Sequence, residues 1–341
     1  MKSSKEVTIY DVAKALNISP STVSRGLKHH PHIKKETCNR IRDMADEMGY
    51  RRNKFASSLR KKSTETIGVV VPKLNSYFMA TAIAGMEKIT NQYGYGLIIS
   101  QSQESGKQEV ACVSTLFNSR VDGLLISLAY DTDKLDHFNK LFSKGIPVVF
   151  FDRVAECNDC ISVVIDNFRA GYEITRHLIE QGCRRIVHLG GNLLRNVYLE
   201  RLRGYKFALA EAGFKFNDEM LIISELNSQA GINAAQAMMK MKPDPDGLFT
   251  ANDASAVAAI CEFQKQGVRI PDDIAVAGFN NEPVSQVVKP NLTTIDYPAR
   301  EIGEIAATSL IDKLNNKATI GLSRIVLKHK LIVRESTLRR E

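Results

Sequence analysis

At 341 residues, with 44% apolar and 25% charged side chains and a formal net charge of +8, the chain has the composition of a globular protein with material for two or three packed domains. No apolar run approaches the roughly 20 residues of a membrane span, and the opening MKSSKEVTIYDV lacks the apolar core of an export signal. The expected location is therefore the cytoplasm, with no membrane partner. Six cysteines at irregular spacing make no disulfide framework, and Cys157-x-x-Cys160 has no second pair to complete a zinc site, so free thiols are expected, with neither metal nor cofactor.

The charge is uneven. Residues 1–62 hold fifteen Lys+Arg against six Asp+Glu, a net of +9, which leaves −1 for the other 279 residues. A compact basic segment ahead of a near-neutral body is the electrostatic footprint of a protein that neutralises nucleic-acid phosphates.

That segment is also patterned. Thr8-x-x-Asp11 resembles a capping box and opens a helix whose Val12, Ala13 and Leu16 share a face. Asn17 suits the left-handed turn that follows, and Ile18 adds an apolar plug. Ser19 is the expected cap of a second helix with Pro20 at its first position; Val23 and Leu27 face inward while Ser21, Thr22, Arg25 and Lys28 point away. Ile41, Met44, Ala45 and Met48 give a third helix, closed by Gly49. Two short helices joined by a tight turn over a third form a helix-turn-helix, whose second helix can enter the major groove of double-stranded DNA; the alternative, a generic three-helix packing module with a polar face, is disfavoured by the coincident charge. Hydroxyls near its start suit phosphate contacts, and Arg25 suits guanine O6 and N7. The cluster His29, His30 and His32 reads as a surface turn. Residues 51–62, RRNKFASSLRKK, hold six basic residues and no acidic one. Too short to be a stable free helix, this hinge is expected to fold on DNA with Leu59 wedged between base steps of the minor groove and Arg60 beside it.

From residue 66, near-continuous apolar runs alternate with amphipathic stretches: TIGVVV, YGLIIS, DGLLIS, PVVFFD, ISVVID, RRIVHL, MLIIS, GLFTA and IAVAGF. Such runs separated by helices indicate parallel strands buried on both faces. Ligands of open α/β sheets bind beyond the carboxyl ends of the strands, which nominates Asp152, Asn252, Asp253 and Asn280, together with Arg195 and Arg201 just after HLGGN. For any one Asn or Asp a cap or turn is an equal alternative. His188, inside an apolar strand, reads as structural.

TIYDVAKALNISPSTVSRGL, ETCNRIRDMADEMGY and FASSL resemble the reading head of the LacI/GalR family of bacterial regulators. RVDGLLI, PVVFFDR, VVIDNFRAG, RLRGY, TAND, PDDIAVAGFNN, PNLTTI and LIVRES follow in that family's order. The resemblance implies an all-α helix-turn-helix head (1–50), a hinge (51–63) and a periplasmic-binding-protein-like α/β body (64–341) of two doubly wound parallel-sheet subdomains. The first subdomain is expected at about 64–160 and 292–320, the second at about 161–291 and 321–338. It further implies that Pro20, Ser21 and Arg25 read bases. Tyr10, Ser19, Thr22, Ser24, His32, Tyr50 and Asn53 take backbone or supporting positions, and Leu59 is the minor-groove wedge, with Ala56 and Arg60 also on DNA. Gly26 stands where a larger apolar residue is usual, and Arg52 where proline is. In the body, Arg201, Asn252 and Asn280 match positions that bind effector hydroxyls, while Tyr77, Phe78, Arg195 and Leu226 match other wall positions. The implied effector is a carbohydrate or its derivative. Asn280 replaces the family's usual Asp, a change that also admits an acidic sugar, a phosphate ester or a nucleobase.

Three classes of function are in play: a ligand-controlled repressor, a binding protein of the periplasmic type, and an α/β enzyme using the cleft. The basic head speaks against the second, and the lack of a P-loop, GxGxxG, HExxH or GxSxG, or of a convergent base and nucleophile, against the third. The chain is expected to act as a homodimer on a pseudo-palindromic operator, and LIVRESTLRRE carries no heptad for further assembly.

Overall fold

The structure, a computed structural model, describes residues 7–27, 30–50, 63–157, 160–316 and 323–339. The chain divides into two units between Thr64 and Glu65.

Among the described residues the first unit contains three helices, α1 (Ile9–Leu16), α2 (Pro20–Gly26) and α3 (Lys35–Glu47). Asp11 Oδ2 accepts from the Thr8 backbone N–H (2.8 Å) and hydroxyl (2.6 Å), so the box at the start of α1 is closed by Asp. Asn17 adopts the left-handed conformation (φ 52°) that turns the chain towards α2. The Ser19 hydroxyl accepts from Thr22 N (3.1 Å) and Pro20 takes the first position, where a missing N–H costs nothing. Val12, Ala13, Val23, Ile41 and Ala45 form the core, joined by half-buried Leu27, Met44 and Met48; Cys38 is buried too. Gly26 faces this core: a Cβ there would lie 2.4 Å from Ile41 Cδ1, so Ile41 occupies the space that a larger residue would take.

The second unit contains twelve strands among the described residues. Its first sheet has the order β11-β5-β4-β3-β1-β2: β1 (Thr66–Val71), β2 (Gly96–Gln101), β3 (Gly123–Ile126), β4 (Val148–Phe151), β5 (Ile161–Ile165) and β11 (Arg324–Leu327). The second has the order β12-β10-β9-β8-β6-β7: β6 (Ile186–Gly190), β7 (Leu221–Ile223), β8 (Gly247–Thr250), β9 (Ala275–Asn280), β10 (Thr293–Asp296) and β12 (Lys330–Ile332). The antiparallel pair is β10 with β12; the other pairings are parallel. The nine apolar runs are β1 to β9, and those in the sheet interiors are buried on both faces, as a helix-covered parallel sheet requires.

The crossings between subdomains differ from those expected. A boundary near 160 places ISVVID in the second subdomain, but β5 pairs with β4 (Val149 with Ile161, Phe151 with Val163) in the first sheet. The connection at 152–160 is short and carries no helix among its described residues, whereas a parallel partner normally follows a dozen or more residues; that spacing suggested a break near 160. Likewise β10 pairs with β9 in the second sheet, so the chain returns after Asp296 rather than near 292. The last crossing falls between Leu327 and Lys330, not near 320. Cys157 and Cys160 are bonded as a disulfide rather than free, because their loop brings the two Cα atoms to 5.4 Å.

Helices cover both faces. Those used below are α4 (Tyr77–Gln92), α5 (Gly106–Asn118), α6 (Asn139–Ser143), α7 (Asn167–Glu180), α8 (Asn196–Glu211), α9 (Ser228–Met238) and α10 (Asp253–Lys265). The α7–α8 contact is close because it is made through glycine. A Cβ on Gly204 would lie 2.1 Å from the Phe168 carbonyl oxygen, and one on Gly171 would lie 2.4 Å from that of Arg201. This backbone-to-backbone approach brings Arg201 beside Asn167. His188 stacks on Tyr205 and Phe249 and shares a hydrogen bond between Nδ1 and the Phe249 carbonyl (3.1 Å); burial lowers its pKa to about 4, which keeps it neutral at pH 7.

Candidate functional site

In the head, the start of α2 presents a cluster of hydroxyls: Ser19 Oγ lies 2.7 Å from Ser21 Oγ and 2.8 Å from Thr22 Oγ1. Ser19, Ser21, Arg25, His32 and Tyr10 are exposed; Pro20, Thr22, Ser24 and Tyr50 are half-buried. The outward face of α2 thus combines hydroxyls and a guanidinium, a set suited to phosphates and base edges. His30 and His32 lie ring to ring at 5.3 Å. Asn53, Ala56, Leu59 and Arg60, like Lys28 and His29, lie outside the described residues.

In the body, the carboxyl ends of the two sheets face a cavity of about 380 Å³. It is lined by Tyr77, Phe78, Asp152, Arg201, Leu226, Asn252 and Asn280, seven of the nine residues nominated from the sequence. Arg201 is a buried cation of its wall. Nε donates to Asn167 Oδ1 (2.9 Å), Nη1 donates to the Ala251 carbonyl (2.8 Å), and the guanidinium carbon stands 3.5 Å from the centroid of the Phe279 ring. Burial pulls its pKa down from the ordinary arginine value. With two edges engaged, Nη2 is the donor left for a ligand. Asp152 accepts from the Tyr297 hydroxyl (3.0 Å) and the Ser127 hydroxyl (3.3 Å), and its pKa is raised by burial. Phe78 packs on Tyr297 at 4.6 Å, giving the chamber an aromatic wall.

Asn252 is chiefly a helix cap. Its Oδ1 accepts from Ser255 N (3.0 Å) and its Nδ2 donates to the Leu226 carbonyl (2.7 Å), so both ends of the amide are engaged. Asp253 and Arg195 do not line the chamber. Asp253 is fully buried beneath it, where it accepts from the Thr294 hydroxyl (2.7 Å) and Glu282 N (2.7 Å). A strand-end position does not distinguish a side chain facing the cleft from one turned under the next strand. Arg195 reaches across to the first subdomain, where Nη2 donates to the Thr132 carbonyl.

Arg195 belongs to a set of contacts joining the subdomains. Tyr130 hydroxyl donates to the Ser224 carbonyl (3.1 Å), Asn192 Nδ2 to the Tyr130 carbonyl (3.0 Å) and Asn196 Nδ2 to the Asp152 carbonyl (3.1 Å). At its centre Arg153 lies over the rings of Tyr130 (5.0 Å) and Tyr198 (5.5 Å), donates to both oxygens of Glu104 (2.6 and 3.2 Å) and donates to the Tyr198 hydroxyl (3.0 Å). Sequence reasoning missed Glu104, Arg153, Tyr198 and Glu282, all cavity-lining. Arg153 follows Asp152 at a strand end, and Tyr198 precedes Arg201 by one helical turn, so both carried a usable signal. Glu104 and Glu282 sit in loops after their strands, where spacing gives no orientation.

A groove between two parallel-sheet subdomains, set behind a helix-turn-helix, defines the class of ligand-responsive DNA-binding regulators. The family model for bacterial regulatory proteins of the lacI family matches residues 8–53, and that for periplasmic binding proteins and the sugar-binding domain of the LacI family matches residues 64–335. The chain belongs to the LacI family. It is 31% identical to catabolite control protein A of Priestia megaterium over 97% of this chain and 99% of that protein. It is 32% identical to the transcriptional repressor PurR of Photobacterium profundum over 91% of this chain and 92% of that protein. Among solved structures it is similar to the regulator CelR in complex with cellobiose (27% identity, TM-score 0.74, 97% and 100% covered). It also shares the fold of the lac repressor dimer bound to operator (24% identity, TM-score 0.86, 98% and 100% covered). The chain is thus a DNA-binding transcriptional regulator with an effector-binding body, not an enzyme. Among the described residues no helix is long and apolar enough to cross a membrane.

Proposed function

We propose that this regulator is a repressor that binds a pseudo-palindromic operator as a homodimer in the cytoplasm and is controlled by a carbohydrate-class effector held in the cleft. Pro20, Ser21 and Arg25 read bases; Tyr10, Ser19, Thr22, Ser24, His32, Tyr50 and Asn53 fix the head on the backbone. Ala56, Leu59 and Arg60 engage the minor groove. The edge strands β2 and β7 supply the dimer surface: Ile98, Ile99 and Ile223 are exposed there, and an unpaired apolar edge needs a cover. Light scattering should give twice 37.9 kDa.

The observation that carries the effector assignment is Arg201, a buried guanidinium with two edges satisfied by protein and one left at a chamber with aromatic and amide walls. A planar donor beside aromatic rings suits a polyhydroxylated ring. The cellobiose held by CelR and the resemblance of Arg201, Asn252 and Asn280 to effector-binding positions support this reading.

The test uses duplexes selected from a random pool by the full chain. Sugars that bind should alter operator affinity, and operator should alter sugar affinity by the same factor, because coupling free energy is reciprocal. Arg201→Ala should abolish the response. A response that survives Arg201→Ala, or a sugar affinity that is the same with and without operator, would overturn the assignment.

A further inference from the structure

The charges around the chamber narrow the effector further, on the reading that the chamber is the effector site. Seven acidic or basic side chains line it: Lys73, Arg153 and Arg201 against Glu104, Asp152, Glu225 and Glu282. Most are already spoken for. Arg153 is matched to Glu104 on both oxygens. Asp152 accepts two hydroxyl hydrogen bonds and lies close enough to Arg153 and Arg201 to feel both charges. The formal balance of these side chains, three cations against four carboxylates, leaves one negative charge over.

Glu282 is the better held of the two. At the end of β9 the chain passes through two successive positive-φ residues, Asn280 (φ 108°) and Asn281 (φ 53°), an unfavourable path that asparagine tolerates best after glycine. Neighbours pin that path: Asn281 N donates to Thr294 Oγ1 (3.3 Å), Asn281 Nδ2 donates to Asp296 (3.0 Å), and Asn281 Oδ1 accepts from Arg334 Nη2 (2.7 Å). Glu282 N donates to buried Asp253 at 2.7 Å. The backbone is thus locked so that the Glu282 carboxylate lines the cavity. Among the described contacts that carboxylate accepts a single side-chain hydrogen bond, from Asn280 Nδ2 at 3.3 Å, against the roughly four acceptor sites a carboxylate offers. Burial raises its pKa, and the hydrogen bond from Asn280 opposes that shift. Asn280, engaged through Nδ2, has its carbonyl oxygen left as a further acceptor.

We propose that Glu282 is the charge-selecting residue of the cleft: with Asn280 it holds a cationic nitrogen on a polyhydroxylated effector, an amino sugar by chemical class, and it turns away effectors carrying a carboxylate or phosphate. The acidic and phosphorylated effectors that Asn280 alone would admit are excluded by the carboxylate two residues further on. An ammonium supplies both the charge and the several N–H donors that Glu282 and the Asn280 carbonyl lack.

The experiment is calorimetric titration of the full chain and of its Glu282→Gln and Arg201→Ala variants, with circular dichroism melts to verify folding. The probes are matched sets: glucose, glucosamine, glucuronate and glucose 6-phosphate, with galactose, galactosamine and galacturonate. In at least one set the amino member should bind the wild type about tenfold or more tightly than the neutral member, the worth of one charge-assisted hydrogen bond. The acidic members should bind more weakly than the neutral one. Glu282→Gln should bring amino and neutral members to within about twofold of each other. A wild type that prefers the acid or phosphate, or an amino preference that survives Glu282→Gln, overturns the proposal while leaving the cleft as the effector site. Binding that survives Arg201→Ala unchanged overturns the cleft reading itself, and failure of every probe to bind overturns both.

Discussion

Replacing Asp253 by asparagine should make the protein progressively more stable, relative to the wild type, as the pH is raised from 5 to 8. The carboxyl is fully buried, and burial raises its pKa from 3.8 to about 8. The hydrogen bonds from Thr294 and Glu282 N oppose that shift, Glu282 adds to it through its own charge, and Arg334 weakly offsets it. The sign follows from proton binding. Between about pH 4 and pH 8 the native chain holds a proton that the unfolded chain has released, so stability falls as pH rises through this window and is flat on either side. Each pH unit is worth about 1.4 kcal/mol, so from pH 5 to pH 7 the wild type loses about 3 kcal/mol that the variant, with nothing to titrate there, retains. For a unit of this size that widens the gap in melting temperature by roughly 5–10 °C. Asparagine fits the site if Oδ1 faces Glu282 N and Nδ2 faces the Thr294 oxygen. Circular dichroism melts of both proteins at pH 5, 6, 7 and 8.5 provide the measurement. Melting curves that stay parallel across the series would refute the buried neutral acid.

Arg25→Ala should weaken specific operator binding by about 1–3 kcal/mol while non-specific DNA binding stays nearly intact; fluorescence anisotropy with selected and scrambled duplexes measures both, and an equal loss on each would make Arg25 a phosphate contact. Gly204→Ala places a methyl group against the Phe168 carbonyl and forces α7 and α8 apart, at a cost of about 1–3 kcal/mol. Thermal melts should show this as a lower midpoint, and because Arg201 lies one turn away on α8, sugar binding should weaken in the same variant. An unchanged midpoint would mean that the helix contact is looser than described.

Much of the site was legible because its elements are local. The box of Thr8 and Asp11, the Asn17 turn and the Ser19–Pro20 start each involve residues within a few positions of one another, and each is seen as read. The nine apolar runs were equally legible, since a strand buried on both faces must be apolar throughout. Which sheet a run joins was not. β5 and β10 have the same apolar character whichever sheet they enter, and the partners that decide it, Val149 and Ala277, lie respectively 12 and 16 residues earlier in the chain. Strand-end position nominated Asn280, which lines the chamber, but it nominated Asp253 as well, which follows β8 and is buried where the turn after β9 donates to it.

What the sequence by itself determined is the plan: a basic, capped helix-turn-helix ahead of an α/β body, because capping, periodicity and charge act between near neighbours. What only the tertiary structure decided is the character of the cleft. Arg153 is neutralised by Glu104 49 residues away, Asp152 is satisfied by Tyr297 145 residues away, and Glu282 is held by Asp253 29 residues away. Electrostatics inside a cavity depends on which charges meet there and how dry they are, and neither property is a function of spacing along the chain.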